Sequence, residues 1–197
     1  MRSDPAILAF DTSAAHCAAA LLVAGEVVTR SEDMARGQAE HLLPLIEATL
    51  SDCDRHWSEL DAIAVGVGPG NFTGIRIAVA AARGLALGLS KPAIGISSLE
   101  AQAFGTPRPC LSVVDGKRGM AYVQEFDGGS PQLMAWEDVP DSRPNAGTLE
   151  PERLVACIAR LAAQRLADTS DHKRPAPLYI RSADAAPASD QPPKILR

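Results

Sequence analysis

Aromatic residues and an excess of positive charge are both lacking in this 197-residue sequence. Phe, Trp and Tyr make up 4% of it, and 19 Lys and Arg against 24 Asp and Glu leave a formal net charge of -5 at pH 7. Aromatic side chains are the platforms on which single-stranded nucleic acid stacks. Clustered Lys and Arg supply the attraction to phosphates. The composition therefore argues against a chain that binds nucleic acid by itself.

Cysteine and histidine lack the spacings of metal sites. No Cys-x-x-Cys pair occurs among the four cysteines, and the four histidines share no predicted helical face. The positions are Cys17, Cys53, Cys110, Cys157, His16, His41, His56 and His172. We therefore expect no metal site and no disulfide framework, but reduced and buried thiols.

Long hydrophobic runs are also missing. No stretch reaches the roughly 18 uninterrupted apolar residues of a transmembrane helix. Residues 6–23 resemble a signal peptide, but Asp11 and His16 interrupt the apolar run and only Arg2 provides a basic start. We therefore expect a cytoplasmic protein with no membrane association. Hydrophobic residues nevertheless make up 46% of the chain, which is enough for a core.

One stretch, residues 62–89, organises the rest of the sequence. Ala62–Val67 is typical of a buried strand, a glycine-rich turn ends it, and Phe72–Leu89 follows as a helix of alternating small and large apolar residues. Apart from Arg76 and Arg83 this helix is apolar nearly all round, so each of its sides must be covered. Either it lies buried within this chain, or a second subunit covers its outer side. We favour the second interpretation for a chain of this length.

The residues around this stretch predict a mixed sheet with helices on its faces. Strands are predicted at Ala6–Phe10, Cys17–Val23, Glu26–Arg30 and Pro92–Ile96, and helices at Gln38–Leu50 and Ser98–Phe104. Pro44 lies inside the first of these helices, where it removes a hydrogen bond and favours a bend. A helix that contains such a residue must be stabilised by something other than its intrinsic helix propensity.

The opening pattern of strand, aspartate, strand, turn and strand recurs later in the sequence. Strands are predicted at Cys110–Val114, Met120–Phe126 and Gln132–Trp136, with Asp115 in the place that Asp11 holds in the opening. A helix then begins at Glu150–Pro151 and fades by Asp168, and Leu178–Arg181 is a candidate edge strand. The recurrence indicates a duplicated unit, with chance similarity of two short meanders as the alternative. We predict a first lobe at 1–106, a shortened second lobe at 107–181 and a flexible tail at 182–197.

Few residues carry recognisable chemistry. Gly66-x-Gly68-x-Gly70 before a helix is able to cradle a phosphate, but no Gly-Lys-Ser/Thr follows as in a Walker loop. Asp11 and Asp115 either hold magnesium across a cleft or simply end their strands. Ser97 and Ser98 have no acid–base pair near them in sequence, so nothing marks a nucleophile.

Six stretches together resemble the bacterial TsaB family, also called YeaZ. They are ILAFDTS, HLLP, AVGVGPGNFTGIRIAVAAARGLALGL, IGISSLEAQA, VVDGKRGMAYV and PLYIR. The resemblance implies an α/β fold of duplicated RNase H-like lobes, of the actin, sugar-kinase and Hsp70 type, with the second lobe truncated. It also implies a non-catalytic partner of the paralogous TsaD subunit in forming N6-threonylcarbamoyladenosine (t6A) at position 37 of tRNA. A further ATPase, TsaE, would bind the dimer, and tRNA would be met only through the complex.

The resemblance also implies which residues act and which do not. The paralogue's metal-binding His-x-x-x-His pair corresponds to Ser98 and Gln102, which cannot replace two imidazoles as ligands. We therefore expect no catalytic residue and no cofactor, and only a vestigial phosphate or magnesium site at Asp11, Thr12 and Asp115. The two front helices would form the subunit interface, and without TsaD the chain would pair with itself. The predicted contact residues are His41, Leu42, Leu45, Arg76, Ile77, Ala80, Ala81 and Gly84.

Some residues depart from the family pattern, and one other function remains open. Gly116 and Lys117 stand where the family often has Ala-Arg, and Met120 where an acidic residue is common, which bears on contacts of the second lobe with TsaE or nucleotide. The alternative function is a small Mg-ATP-dependent phosphotransferase or ATPase of the same fold that uses Asp11 and Asp115.

Overall fold

The computed structural model describes residues 4–141, 145–168 and 173–180, which form two β-sheets and four helices. The strands are β1 Ile7–Asp11, β2 His16–Val23, β3 Glu26–Asp33, β4 Ala62–Gly66, β5 Ala93–Ile96, β6 Cys110–Lys117, β7 Met120–Phe126 and β8 Gln132–Ala135. The helices are α1 Gln38–Asp52, α2 Phe72–Leu89, α3 Ser98–Ala103 and α4 Pro151–Asp168. The predicted tail at 182–197 lies outside the described residues.

The first sheet has five strands in the order β3-β2-β1-β4-β5. The strands β1, β2 and β3 are joined as an antiparallel meander, whereas β4 and β5 run parallel to β1. The tight turn between β2 and β3 is Ala24-Gly25, where both residues have positive φ (51° and 82°). Two such residues form the turn whose twist matches that of a hairpin. The predicted strands and the mixed sheet are therefore confirmed.

Alternation of side chains along the strands gives this sheet two apolar faces. Leu8 and Phe10 of β1 pack with α1 and α2 in one core, while Ile7 and Ala9 pack with α3 and α4 in the other. Because successive side chains of a strand point to opposite faces, a strand that is apolar throughout must be covered on both sides. All five residues of β1 are buried.

The second sheet is an antiparallel meander of three strands, β6-β7-β8, and α3 lies against its first strand. Its buried apolar cluster contains only Leu111, Val113, Ala121 and Val123. The recurrence of a three-stranded meander in the sequence is thus confirmed as structure.

Helix α4 does not belong with the second sheet, so the predicted assignment of 107–181 to one lobe is wrong at this element. Its buried residues Leu154, Val155 and Ile158 pack with Ile7, Ala9 and their neighbours on the first sheet. The physical reason is the apolar area that each sheet offers. The face of the first sheet that carries Ile7 and Ala9 is apolar and would otherwise be open to water, whereas the small second sheet has little apolar surface to cover.

The segment 173–180 returns to the first sheet without forming the predicted edge strand. The backbone N–H of Leu178 donates to the carbonyl of Val67 at 2.8 Å, and Leu178 packs against the core between α1, α2 and the sheet. Arg181, the last residue of that predicted strand, lies outside the described residues. Among the described residues, one hydrogen bond between backbone groups thus stands where a ladder was predicted.

Arg165 of α4 ties this helix to the far edge of the sheet, and its removal should be measurable. Its guanidinium donates to both carboxylate oxygens of Glu100 (2.6 Å each) and to the carbonyl of Gly95. We expect Arg165→Met to lower the free energy of unfolding by about 1–2 kcal/mol, because three charge-assisted hydrogen bonds are lost at a half-exposed site. Urea denaturation would measure this. Arg160→Met, at an exposed position of the same helix with no such partner among the described residues, is the control and should change the free energy of unfolding by less than about 0.5 kcal/mol. Equal effects of the two substitutions would mean that the hydrogen bonds of Arg165 do not stabilise the fold.

Candidate functional site

Helix α2 is held against the end of β1 by glycines that allow backbone to touch backbone. A Cβ added at Gly74 would lie 1.8 Å from the carbonyl oxygen of Thr12, and one added at Gly70 would lie 2.2 Å from that of Ser13. The hydroxyl of Thr12 donates to the carbonyl of Gly74 at 2.7 Å. No side chain larger than hydrogen fits between these two backbone segments, so the two glycines allow close packing.

Amide groups at the start of α2 already form hydrogen bonds within the chain, which weakens the prediction of a phosphate-binding site there. The Asn71 side chain accepts from the N–H groups of Thr73 (3.0 Å) and Gly74 (3.3 Å), as an N-cap does. The N–H of Asn71 itself donates to the carbonyl of Ser13 at 2.6 Å. An anion at this helix end would have to displace these partners.

The outward side of α2 is apolar and open to solvent. Its inner side is buried in the core through residues such as Ile75, Ala78 and Ala82. We call the outward side the outer face of α2; it comprises Arg76, Ile77, Ala80, Ala81, Gly84 and Leu87, all exposed or half-buried. Leu87 is 80% exposed, and a Cβ at Gly84 would meet nothing within 4 Å. The described residues therefore cover this helix on one side only.

Helix α2 is also the one described helix that is long and apolar enough to cross a membrane by length and composition. Core helices of soluble proteins pass the same test. Here one side of the helix packs on the sheet, which is the arrangement of a core helix with one uncovered side.

Two of the predicted contact residues on α1 are wrong. Leu42 is 1% exposed and Leu45 5% exposed, because both side chains point into the core between α1 and the sheet. The residue that α1 offers to solvent is Leu43, which is 46% exposed. His41 is exposed as predicted and lies 3.5 Å from the Glu32 carboxylate. Leu43 and Leu87 were missed because periodicity identifies an apolar stripe but not which edge of it faces outward.

The remaining predicted residue of this surface, Arg76, belongs to a cluster of three side chains. Its guanidinium carbon lies 3.7 Å from the centre of the Phe72 ring, and its Nε donates to the Tyr179 hydroxyl at 2.8 Å. The rings of Phe72 and Tyr179 stack with their centres 5.4 Å apart. All three side chains stay exposed at the start of the outer face. Nothing local in the sequence indicates that Tyr179 completes the cluster.

Asp11 does not face Asp115 across a cleft. Asp11 is fully buried, and its Oδ1 accepts from the N–H and hydroxyl of Ser13 (3.0 and 2.8 Å) and lies 2.9 Å from His16 Nε2. Asp115 is exposed, and its Oδ1 accepts from the N–H of Lys117 at 2.7 Å. Within the described part of the chain no group of three or more His, Cys, Asp and Glu side chains is placed to hold a metal ion. The predicted magnesium pair thus corresponds to two separate local structures.

A cavity of about 650 Å³ lies between the two sheets. Ser98 and Gln102, four residues apart on α3, both line it and are 3% and 6% exposed. Gln102 Oε1 accepts from the Ser112 hydroxyl at 2.9 Å, while the Ser98 hydroxyl has no hydrogen-bond partner among the described residues. A hydroxyl and an amide thus occupy the two positions at which the resemblance implies that the paralogue carries imidazoles.

The cysteines are free thiols, and their reactivity should follow their burial. Cys17, Cys110 and Cys157 are buried, as predicted, and Cys53 is half-buried. Burial, with the negative charges of Glu32 and Asp11, raises the pKa of Cys17 from 9.0 to about 12. Because the thiolate is the reactive form, we expect a thiol reagent at pH 8 to modify Cys53 first and Cys17 only after unfolding. Mass spectrometry of labelled peptides would measure the order.

The same shift predicts a dependence of stability on pH. Above pH 9 the unfolded chain ionises at Cys17 while the folded protein keeps its proton, so the free energy of unfolding should fall between about pH 9 and 12. Cys17→Ala is the control, since it removes this contribution from the pH profile. A wild-type profile identical in shape to that of the variant would contradict the shift.

Comparisons with known proteins identify relatives of this chain. A family model described as TsaD, tRNA N6-adenosine threonylcarbamoyltransferase, matches residues 24–143, more than half of the chain. The Escherichia coli (strain K12) tRNA threonylcarbamoyladenosine biosynthesis protein TsaB is 36% identical over 125 residues, which are 61% of this chain and 54% of that protein. The chain thus matches about half the length of this curated relative. An uncharacterized protein of Mycobacterium tuberculosis (strain H37Rv) is 35% identical over 206 residues, 92% of this chain and 94% of that protein.

Solved structures show the same fold. YeaZ from Pseudomonas aeruginosa matches with a TM-score of 0.72 and 25% identity, over 89% of this chain and all of that chain. A second Pseudomonas aeruginosa structure, of an uncharacterized protein with similarity to peptidase YeaZ, matches with a TM-score of 0.73 and 26% identity, over 90% of this chain and all of that one. From its sequence and its fold, the chain belongs to the TsaB (YeaZ) family.

Proposed function

We propose that this chain is a non-catalytic partner and activator of a TsaD subunit in the formation of t6A at position 37 of tRNA. The observation that supports this most directly is the outer face of α2, an apolar helical surface that the described residues leave open. The names of the relatives support the pathway, and the match to a TsaD family model supports kinship of the two subunits.

The chemistry of the outer face suits a helix of another subunit. Ala80, Ala81 and Gly84 are small, so a partner helix is able to approach closely, and Leu87 and Leu43 provide large apolar side chains at the edges. Close backbone approach increases dispersion contacts, and burial of the exposed leucines adds about 1.5–3 kcal/mol each when complete. The pairing proposed here uses α2 and the exposed edge of α1. In the absence of TsaD the same surface would pair with a second copy of itself.

The proposal assigns catalysis to the partner. Ser98 and Gln102 lack the imidazole nitrogens that suit zinc, iron or nickel. Of the buried Asp11 carboxylate, Oδ1 is already engaged by Ser13 and His16. The amide groups at the start of α2 are engaged as well. These contacts support structural roles for Asp11, Thr12 and Asp115 and give no step of a reaction to this chain.

Further parts of the proposal rest on family membership. The two sheets are taken as a complete and a shortened RNase H-like lobe of an actin-type fold, related by duplication. The complex with TsaD would recruit the ATPase TsaE and work in the cytoplasm. The chain would contact tRNA only as part of that complex. The second sheet, with its small core, would be the lobe whose contacts with TsaE differ from those of longer relatives.

Sizing chromatography with light scattering tests the proposal. The chain is mixed with the TsaD subunit of the same organism, and t6A formation is measured with TsaD and TsaE in the presence and absence of the chain. We expect a 1:1 complex, t6A formation that depends on the chain, and a homodimer when it is alone. Calorimetry with Mg-ATP on the isolated chain should give no heat of binding. Turnover of ATP by the isolated chain, without assembly with TsaD, would favour the phosphotransferase function and contradict the proposal.

A further inference from the structure

A second concave surface lies at the far end of α2, away from the Phe72–Arg76–Tyr179 cluster. It is a pocket of about 490 Å³ between the last turns of α2, the loop to β5 and residues 174–175. Among the described residues, three cationic side chains line it, Arg83, Lys91 and Arg174, and no acidic residue does. Arg83 and Lys91 are close in sequence, but Arg174 comes 83 residues after Lys91, so only the fold brings it to the other two.

The three cations are not neutralised within the described residues. Arg83 uses its Nε to donate to the carbonyl of Pro175 at 2.7 Å, which leaves its two terminal nitrogens available. Lys91 and Arg174 form no ion pair or side-chain hydrogen bond with any residue that the structure describes, whereas Arg165 and Arg30 elsewhere each bind a carboxylate at 2.6 Å. In a chain with a net charge of -5, three unpaired cations in one pocket are a local reversal of sign.

Stabilisation of the helix end does not account for three charges. The negative end of a helix carries roughly half an elementary charge, so one cation is enough to balance it. Moreover, the last carbonyls of α2 already have partners: Ser90 N–H donates to Leu87 (3.3 Å) and Lys91 N–H to Ala86 (3.0 Å). The pocket therefore keeps a net positive potential, and its concave shape focuses that potential.

We propose that this pocket binds phosphate groups of an RNA backbone. Guanidinium groups present planar forks that match phosphate oxygens, and a lysine adds a point charge. No aromatic side chain among the described residues lines the pocket, so we expect contacts to the RNA backbone, irrespective of sequence, rather than stacking of bases. The identity of the RNA as tRNA rests on the proposed function. The pocket shares Gly84 and Leu87 with the outer face of α2, so bound RNA would lie at the edge of the subunit interface.

The test compares two variants that remove the same charge. Lys91→Gln with Arg174→Gln removes two cations of the pocket but keeps Arg83, which holds Pro175. The control is Arg153→Gln with Arg160→Gln, at exposed positions of α4 on the opposite face of the sheet. Fluorescence polarisation measures binding of labelled tRNA to the complex with TsaD, and to the isolated chain, over a range of salt concentrations. We expect the pocket variant to bind tRNA about tenfold more weakly at low salt, with a salt slope smaller by about 1.5, and the control to change by less than about twofold.

Other outcomes would overturn the proposal. Equal losses in both variants would mean general electrostatics rather than a site. Unchanged tRNA binding with loss of assembly with TsaD would mean that the pocket holds an acidic protein segment. If inorganic phosphate binds in the pocket while the pocket variant binds tRNA as the wild type does, the pocket is a site for free anions. If the wild-type chain does not assemble with TsaD, the proposed function fails. If the complex forms but the pocket variant in it binds tRNA as tightly as the wild type does, only the proposal for the pocket fails.

Discussion

Gly74→Ala should lower the free energy of unfolding by about 3 kcal/mol, the largest effect that we expect for a single methyl group in this chain. The new Cβ would lie 1.8 Å from the carbonyl oxygen of Thr12. The Cβ is fixed to the backbone of α2 and the oxygen belongs to the backbone after β1, so no side-chain rotation relieves the clash. Helix α2 must therefore move away from β1. Movement of the helix would also break the hydrogen bond from the Thr12 hydroxyl to the carbonyl of Gly74.

Gly84→Ala is the matched control in the same helix. Its Cβ meets nothing within 4 Å, so only the backbone propensity changes. We expect a gain of about 0.5–1 kcal/mol, because alanine restricts the unfolded chain and suits a helix interior better than glycine does. Urea denaturation followed by circular dichroism would measure both variants. Equal changes in the two variants, or a stabilised Gly74→Ala protein, would show that α2 is not held against β1 in this way.

Gly84→Arg should abolish binding to TsaD while leaving the chain folded. The position is open in the isolated chain, so the arginine side chain extends into solvent there. In a close helix–helix contact it would instead have to be buried with its charge, or it would force the helices apart. We expect affinity to fall by about 100-fold or more, which corresponds to about 2.7 kcal/mol. Ala81→Arg, at the half-buried edge of the same face, should act in the same direction.

The control for this experiment is Gln164→Arg, at an exposed position of α4 on the other side of the sheet. It introduces the same side chain into a helix without touching the outer face of α2. Circular dichroism and the midpoint of thermal unfolding should be unchanged in both variants. Isothermal titration with TsaD would then separate them. Wild-type affinity in Gly84→Arg would mean that TsaD binds elsewhere, and the assignment of the outer face would be wrong.

These two predictions show why residue type alone does not identify an interface. Gly74 and Gly84 lie in the same small-residue pattern, yet Gly74 is in contact with β1 and Gly84 faces solvent. A helix that is apolar on all sides indicates that every side must be covered, but it does not tell which side the chain itself covers. That choice depends on the rotation of α2 about its axis, which the packing of Ile75 and Ala78 on the sheet determines.

The sequence predicted local structure well and long-range placement less well. Periodicity located β1 to β8 and α1 to α4 to within a few residues, because each is defined by the spacing of its own apolar side chains. It failed for α4, whose apolar stripe fits either sheet, and for Leu42 and Leu45, which lie on the inward edge of their stripe. It also predicted a strand at Leu178–Arg181, where the described residues make a single backbone hydrogen bond.

The sequence by itself thus determined the order of strands and helices, the recurrence of the three-stranded meander and, through GPGNFTGIR and its companions, the family. These properties reside in neighbouring residues and in short spacings. Only the tertiary structure decided which side of α2 stays uncovered, where α4 packs, and that Arg83, Lys91 and Arg174 line one pocket. The physical reason is that burial and electrostatic potential depend on distances in space, and the fold sets these between residues that the sequence keeps far apart.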